Sequence, residues 1–401
     1  MQAVERFDAI VVGAGPAGSV TAYRLARAGV RVLLLDKARF PRDKPCGGGL
    51  TVRALRQLPE GLDVLPVVEH VVDRLGFRLF YRARFERRSR EPLILMTQRV
   101  RLDHLLLERA AAAGAEVRDG VKVDEAMAEE RGVVVRAGGQ RIGAEALIGA
   151  DGANGTVRRA LDLGGQYVLG VALEGNVPYD ALAFPPRSHG LAEIELGTIP
   201  GGYGWIFPKG DHVNVGVGGW QREGPRLRHH LSTLCQAHGI PLARVEQVRG
   251  HRLPLRRPGS ILARGRALLV GDAAGLVDPL SGDGMYEAFV SARLAAEAVL
   301  AFLSGRDRSL DGYGLQLAAA LGAGMAASWG AKVAFDRFPR ATFALGRLPL
   351  AWGAVERMLR GDIRSPSEER GLARVALKAI EALARVAGDP GQDYRLEARP
   401  A

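Results

Sequence analysis

Phe7-Asp-Ala-Ile-Val-Val-Gly13-Ala-Gly15-Pro-Ala-Gly18, continued by Gly29-Val-Arg-Val-Leu-Leu-Leu-Asp36, is the stretch that decides the fold. Ala9 to Val12 form a short apolar run, as in a strand buried on both faces of a parallel sheet. From Ala17, the apolar residues Val20, Leu25 and Ala28 recur at helical spacing opposite Arg24 and Arg27, and Gly29 closes the helix. A second apolar strand, Val32 to Leu35, ends in Asp36. Strand, glycine turn, helix, strand and acid in this order predict a unit that binds a dinucleotide at its first turn. Gly13 makes the turn, Gly15 admits a pyrophosphate to the backbone, and Gly18 lets the helix pack on its strand. The helix start offers free N–H groups and the positive end of its dipole. Asp36 lies about 20 residues on, where a carboxylate takes ribose hydroxyls.

Working outward, a chain of 401 residues with 47% hydrophobic content is long enough for two to three domains with large cores. Its two cysteines, Cys46 and Cys235, cannot build a disulfide framework, so a reducing cytoplasmic compartment is expected. No signal-peptide pattern precedes Phe7, and no apolar run reaches the ~20 residues of a spanning helix. The formal charge of +11 is spread along the chain without a helix-turn-helix or zinc-finger pattern, so no nucleic-acid partner is expected. No metal site is expected either.

Three later stretches carry glycine in positions where backbone can approach a ligand. Phe40-Pro-Arg-Asp-Lys44-Pro-Cys46-Gly47-Gly48-Gly49 puts a thiol before three glycines. Ala146-Leu-Ile-Gly-Ala-Asp151-Gly152 is a strand entering an Asp-Gly turn. Ala267-Leu-Leu-Val-Gly271-Asp272, followed by Asp278-Pro-Leu-Ser-Gly282-Asp-Gly284 and a helix from Met285 to Leu303, makes a second anion cradle. Between them, Leu75 to Met96 alternate as strands with one wet face, a helix is expected over Leu102 to Ala113 with Asp103 near its cap, and a strand over Glu116 to Val123. Strands are also expected at Val171 to Val177, Leu191 to Leu196, Gly204 to Phe207 and Val213 to Val217. Tyr203, Trp205 and Phe207 then share one face of their strand as an aromatic wall suited to an apolar ligand.

These motifs in this order resemble the hydroxylase-type flavoproteins. Within that superfamily, Lys44-Pro-Cys46-Gly-Gly and Tyr203-Gly-Trp205-Ile-Phe207-Pro-Lys209 resemble the geranylgeranyl reductase family, flavoenzymes that hydrogenate prenyl double bonds. The resemblance covers about residues 5–305. It implies an α/β fold: a Rossmann-like FAD-binding domain from residues 1–70, 98–160 and 258–308, an inserted antiparallel-sheet substrate domain from 71–97 and 161–257, and a helical C-terminal region over 309–401. It also implies roles. Gly13, Gly15, Ala17 and Gly18 would hold the FAD pyrophosphate, Asp36 the adenosine ribose, and Val123 the adenine. Cys46 and Gly47 would lie by the isoalloxazine, Arg99 along the ribityl-pyrophosphate, and Asp272 at the ribityl chain. Gly284 and Met285 would bring helix-start N–H groups to the flavin, and Lys37, Gly48 and Gly282 would be further cofactor contacts. The family commonly has Glu where this chain has Asp36.

The expected activity is reduction of prenyl double bonds on an isoprenoid lipid or polyprenyl quinone, with Cys46 as the candidate catalytic residue and NAD(P)H or another donor as transient reductant. A monooxygenase on the same fold and a lipid-binding flavoprotein without turnover are the alternatives. A halogenase fits less well, because its Trp-x-Trp-x-Ile-Pro pattern is only half echoed here. The tail adds a partner. Leu372, Val375, Ala376, Ala379, Ile380, Leu383 and Val386 lie opposite Arg374, Lys378 and Arg385, a basic amphipathic surface for peripheral contact with the inner face of a membrane or for packing on its own domain.

Overall fold

The computed structural model describes residues 5–388, apart from 131, 166, 183–189 and 258. The last part of the expected C-terminal region, 389–401, lies outside the described residues.

The opening strand, Glu5–Val12, is the centre of an eight-stranded sheet. Its parallel neighbours are Gln140–Gly149 and Val32–Leu35, flanked in turn by Ala267–Leu269 and Glu116–Arg118, also parallel. Leu33, Leu34 and Leu35 are fully buried, each contributing about 1.5–3 kcal/mol by leaving water. That is why the run is apolar without alternation. The helix Pro16–Arg27 packs between Arg99–Ala112 and Met285–Leu303 on this sheet.

A seven-stranded sheet stands over the first. Its order is Glu246–Arg256, Tyr167–Pro178, His212–Trp220, Tyr203–Pro208, Leu191–Leu196, Arg74–Leu79 and Ala83–Arg88. All pairs are antiparallel except Leu191–Leu196 with Arg74–Leu79, which run parallel. The hairpin from the earlier segment therefore joins the sheet of the later one. Ile94–Thr97 leaves that hairpin for a small third sheet with Gly49–Thr51 and Val68–Val72, which anchors the end of the Cys46 loop.

Two expected elements differ in detail. The helix begins at Arg99, not Leu102, so Asp103 lies one turn into it and faces inward instead of capping it, where two arginines meet it. The strand over Glu116 to Val123 is broken after Arg118, where the chain turns at Gly120 (φ 71°) and resumes at Val123. The turn runs along the acid's segment, with Gly120 N–H donating to Ala38 O and Val121 N–H to Asp36 O.

Among the described residues, the C-terminal part packs the helices Tyr313–Arg337, Pro339–Gly346, Pro349–Arg360 and Gly371–Val386 after Met285–Leu303. No helix among the described residues is long and apolar enough to cross a membrane.

Candidate functional site

The glycine and acid motifs all sit at the carboxyl ends of adjacent parallel strands, where open α/β sheets bind ligands. Gly13 follows Glu5–Val12, Asp36 follows Val32–Leu35, Asp151 follows Gln140–Gly149, and Gly271 and Asp272 follow Ala267–Leu269. A Cβ on Gly13 would lie 2.3 Å from Ala150 O, and one on Gly18 would lie 1.8 Å from Gly13 O. Those two glycines exist for packing. Gly15 is different: the nearest atom to its virtual Cβ is an Arg42 nitrogen at 3.7 Å. Its open side faces the cavity, above a helix start with no side-chain cap. Ala17 lines the same cavity.

The Asp36 carboxylate is aimed by two backbone donors, Ala14 N–H at 2.7 Å and Ala38 N–H at 2.8 Å. Lys37 and Val123 border the cavity on this side, Val123 almost fully buried. Arg99 is buried and donates through Nε and Nη2 to Asp103, both at 2.6 Å, and Arg42 reaches the same carboxylate at 2.8 Å. Burial lowers the proton affinity of Arg99, but Asp103 outweighs it and holds the guanidinium charged. The ion pair thus sets the arginine in the cavity wall with its remaining amine unclaimed by Asp103.

Asp272 takes Lys44 Nζ at 2.9 Å and has His251 Nε2 at 3.7 Å. Burial alone would raise its pKa, yet these two partners hold the carboxyl well below the usual range. Lys44 and His251 were not expected in the site. Beyond it, the Asp278 carboxylate accepts Leu280 N–H, Ser281 N–H and the Ser281 hydroxyl, fixing the turn through Gly282 (φ 66°). Gly284 and Met285 line the cavity, but the Met285 N–H, expected to face the flavin, donates to Asp283 Oδ1 at 2.8 Å. Asp283 precedes the helix and takes that donor locally.

The Cys46 loop is held from the facing sheet. Glu174 Oε1 accepts Cys46 N–H at 2.6 Å. Lys209 Nζ donates to Gly47 O at 2.5 Å and Thr97 O at 2.8 Å, and Gly48 N–H lies 3.3 Å from Cys46 Sγ. Burial raises the Glu174 carboxyl and lowers the Lys209 ammonium to about 8. Glu174 was not picked out from sequence, and Lys209 was quoted only as the end of the aromatic motif and given no role in the site, although one signal existed. Lys209 continues the i, i+2 spacing of Tyr203, Trp205 and Phe207, so a cation ends an apolar face.

Those three rings do form one wall. Centroids are 5.9 Å apart for Tyr203 and Trp205 and 6.3 Å for Trp205 and Phe207. Trp205 Nε1 donates to Asn214 Oδ1 at 2.7 Å, and its ring covers Gly216, where a Cβ would lie 2.1 Å away. The Tyr203 hydroxyl donates to Ser281 O, tying the wall to the turn of the other domain. Phe207 packs on Gly47 beside the thiol.

Gly15, Asp36, Arg99, Asp272, Cys46, Glu174 and the three rings line one cavity of about 1070 Å³, which continues between the C-terminal helices past Leu321, Met325, Phe335, Trp352, Leu377 and Ile380. Sequence reading had found no motif in that region. The residues present fit FAD: a bare helix start, a glycine with open space above it, an acid at the end of the second strand oriented by two backbone donors, and a long cleft. Among the described residues no group of side chains could hold a metal ion.

A family model for an FAD binding domain matches residues 6–320. A menaquinone reductase from Mycolicibacterium smegmatis is 34% identical, covering 73% of this chain and 76% of its own. A geranylgeranyl diphosphate reductase from Rhodobacter capsulatus is 34% identical over 76% of this chain and 78% of its own. Among solved structures, a geranylgeranyl bacteriochlorophyll reductase-like protein from Thermoplasma acidophilum superposes with TM-score 0.75 at 21% identity, covering 98% of this chain and 99% of that one. The flavin-dependent brominase Bmp2 gives the same TM-score, 0.75, at 19% identity over 95% of this chain and 100% of that one, a likeness of fold.

Proposed function

Because the chain belongs to the FAD-binding oxidoreductases of geranylgeranyl reductase type, we propose that it reduces carbon–carbon double bonds in the prenyl chain of an isoprenoid lipid or polyprenyl quinone. The observation that carries this reading is the continuity of the cavity. The aromatic wall that meets the Cys46 loop runs without a break into an apolar channel between the C-terminal helices. Such a channel suits a long, branched hydrocarbon better than a compact aromatic ring. The reductase names among relatives support the same substrate class.

FAD bound here would supply hydride once reduced by NAD(P)H or another donor. The protein's residues do the rest. Backbone at Gly15 and the helix start would hold the pyrophosphate, and Asp36 would take the ribose. Tyr203, Trp205 and Phe207 lay the chain against the cofactor and keep water from it. An isolated alkene is electron-rich, so the carbon that does not take hydride must receive a proton from a positioned donor. Cys46 is the thiol nearest that place on the cavity wall.

The C-terminal helix extends the reading to a membrane surface. At about 100° per residue, Leu372, Val375 and Val386 fall on one side of Gly371–Val386 and are exposed, while Ala373, Ala376, Leu377 and Ala384 are buried on another. Arg374, Lys378 and Arg385 form the band between them. An exposed apolar stripe beside a basic band is the surface that rests on anionic lipid.

The test is anaerobic. Flavin-loaded protein reduced with dithionite and mixed with geranylgeranyl diphosphate, or with menaquinone, should reoxidise as product mass rises in steps of two hydrogens. Flavin that stays reduced with both until oxygen enters rejects the reading and favours oxygen chemistry.

A further inference from the structure

Lys209 is 3% exposed, and its ammonium reaches from the end of the aromatic strand into the back of the Cys46 loop. It has three N–H donors, and two carbonyls, Gly47 O and Thr97 O, take two of them. No carboxylate is within hydrogen-bond distance of it among the described residues. A buried cation that meets only carbonyls is costly unless an anion stands nearby. The Cys46 thiol is the foremost of the groups that favour its charge, ahead of Glu174, Glu69 and Asp43. Glu174 faces the loop from Tyr167–Pro178, Glu69 from Val68–Val72, and Arg99 from the helix it begins. Gly48 is required for the fit, since a Cβ there would lie 2.0 Å from Nζ.

We propose that Lys209 is a positioning residue for Cys46: through Gly47 O and Thr97 O it holds the loop that presents the thiol at the cavity wall. The inference rests on the prenyl-reductase reading. In the step, the alkene π pair forms a C–H bond with the Cys46 proton, and the S–H pair stays on sulfur as thiolate. The hydride completes the other carbon, with the flavin's two electrons drawn from a reduced nicotinamide or similar donor. The thiolate regains its proton from water.

The test follows alkylation of Cys46 by iodoacetamide against pH in the flavin-loaded protein. Cys235 is fully buried and silent. Lys209→Met should slow alkylation at pH 7 about tenfold and move the profile up by about one pH unit. Lys209→Arg keeps a buried cation and its donors to the loop carbonyls, so it should restore alkylation. If the methionine variant fails to fold, Cys46→Ala decides. With six lysines in the chain, side-chain nitrogen NMR can follow Lys209, which should lose its proton at lower pH once the thiol is gone. Coincident alkylation profiles, or a Lys209 titration indifferent to Cys46, overturn the proposal. Should the wild type reduce no prenyl substrate, the functional reading falls while the thiol and NMR measurements still report on the pair.

Discussion

Two glycines a few ångströms apart in role predict opposite outcomes. Gly15 has open space where a side chain would go, with Arg42 at 3.7 Å, so Gly15→Val should fold and melt near the wild type yet lose FAD on gel filtration, because the methyls occupy the pyrophosphate's place. Gly48 has φ 72°, and a Cβ would meet Lys209 Nζ at 2.0 Å and Thr97 O at 2.1 Å. Gly48→Ala should therefore lose roughly 2 kcal/mol or more in urea denaturation, the sum of backbone strain and a displaced buried ammonium. Cys46→Ser is the chemical counterpart: it should retain FAD and reduce prenyl double bonds at least ~100-fold more slowly, since a hydroxyl is a far weaker proton donor than a thiol. Product mass per unit time checks it, and full turnover would remove Cys46 from the mechanism. At this scale the sequence was readable where neighbours in space are neighbours in the chain, as with Gly13, Gly15 and Gly18. It was silent on Glu174, which meets Cys46 across 128 positions. No local pattern marks a contact of that kind.

Single elements carry their own pH signature. His238, at the end of helix Leu227–Ala237, is packed against the seven-stranded sheet, and burial, reinforced by Arg78, brings it down to about 4. The unfolded chain binds that proton from about pH 6.5 downward and the folded one only near 4. Stability is thus lost as pH falls through this window, by up to about 3 kcal/mol. Replacing His238 by Phe should remove that part of the acid loss, read as the difference between the two urea midpoints at pH 7 and pH 4.5. An unchanged difference would show that the ring is solvated when folded. Glu195 on the same sheet runs the other way: burial raises it to about 7, so its contribution falls as pH rises from 4.5 toward 7. Only the difference between variant and wild type separates the two. Elements themselves were largely legible, because period and turn residues are local. Leu191–Leu196 was read at its observed bounds, and so was the apolar run ending at Leu35. The break after Arg118 and the parallel pairing of Leu191–Leu196 with Arg74–Leu79 were not, since each depends on which distant segment lies alongside.

For the molecule as a whole, the same helices that close the cavity present its apolar exterior. Leu377 and Ile380 line the cavity from Gly371–Val386, while Leu372, Val375 and Val386 on that helix are 71%, 62% and 77% exposed. One helix thus faces the hydrocarbon channel and the outside at once. Sequence periodicity had merged the two faces into one, because each is apolar and only tertiary packing tells them apart. A substrate that lives in a bilayer then has a short path from lipid to channel, and the +11 charge favours an anionic leaflet. Flotation should accordingly show the protein bound to phosphatidylglycerol vesicles and free of phosphatidylcholine ones, with binding weakened by salt. Changing Leu372, Val375 and Val386 to Ser removes about 1–1.5 kcal/mol of apolar burial each, so the partition should fall roughly 100- to 1,000-fold. Turnover on a short, water-soluble prenyl diphosphate should hold at the same time, because none of the three lines the cavity. Equal partition of variant and wild type would assign the stripe to another partner, and a loss of turnover with the soluble substrate would mean that the helix shapes the channel and not merely its approach.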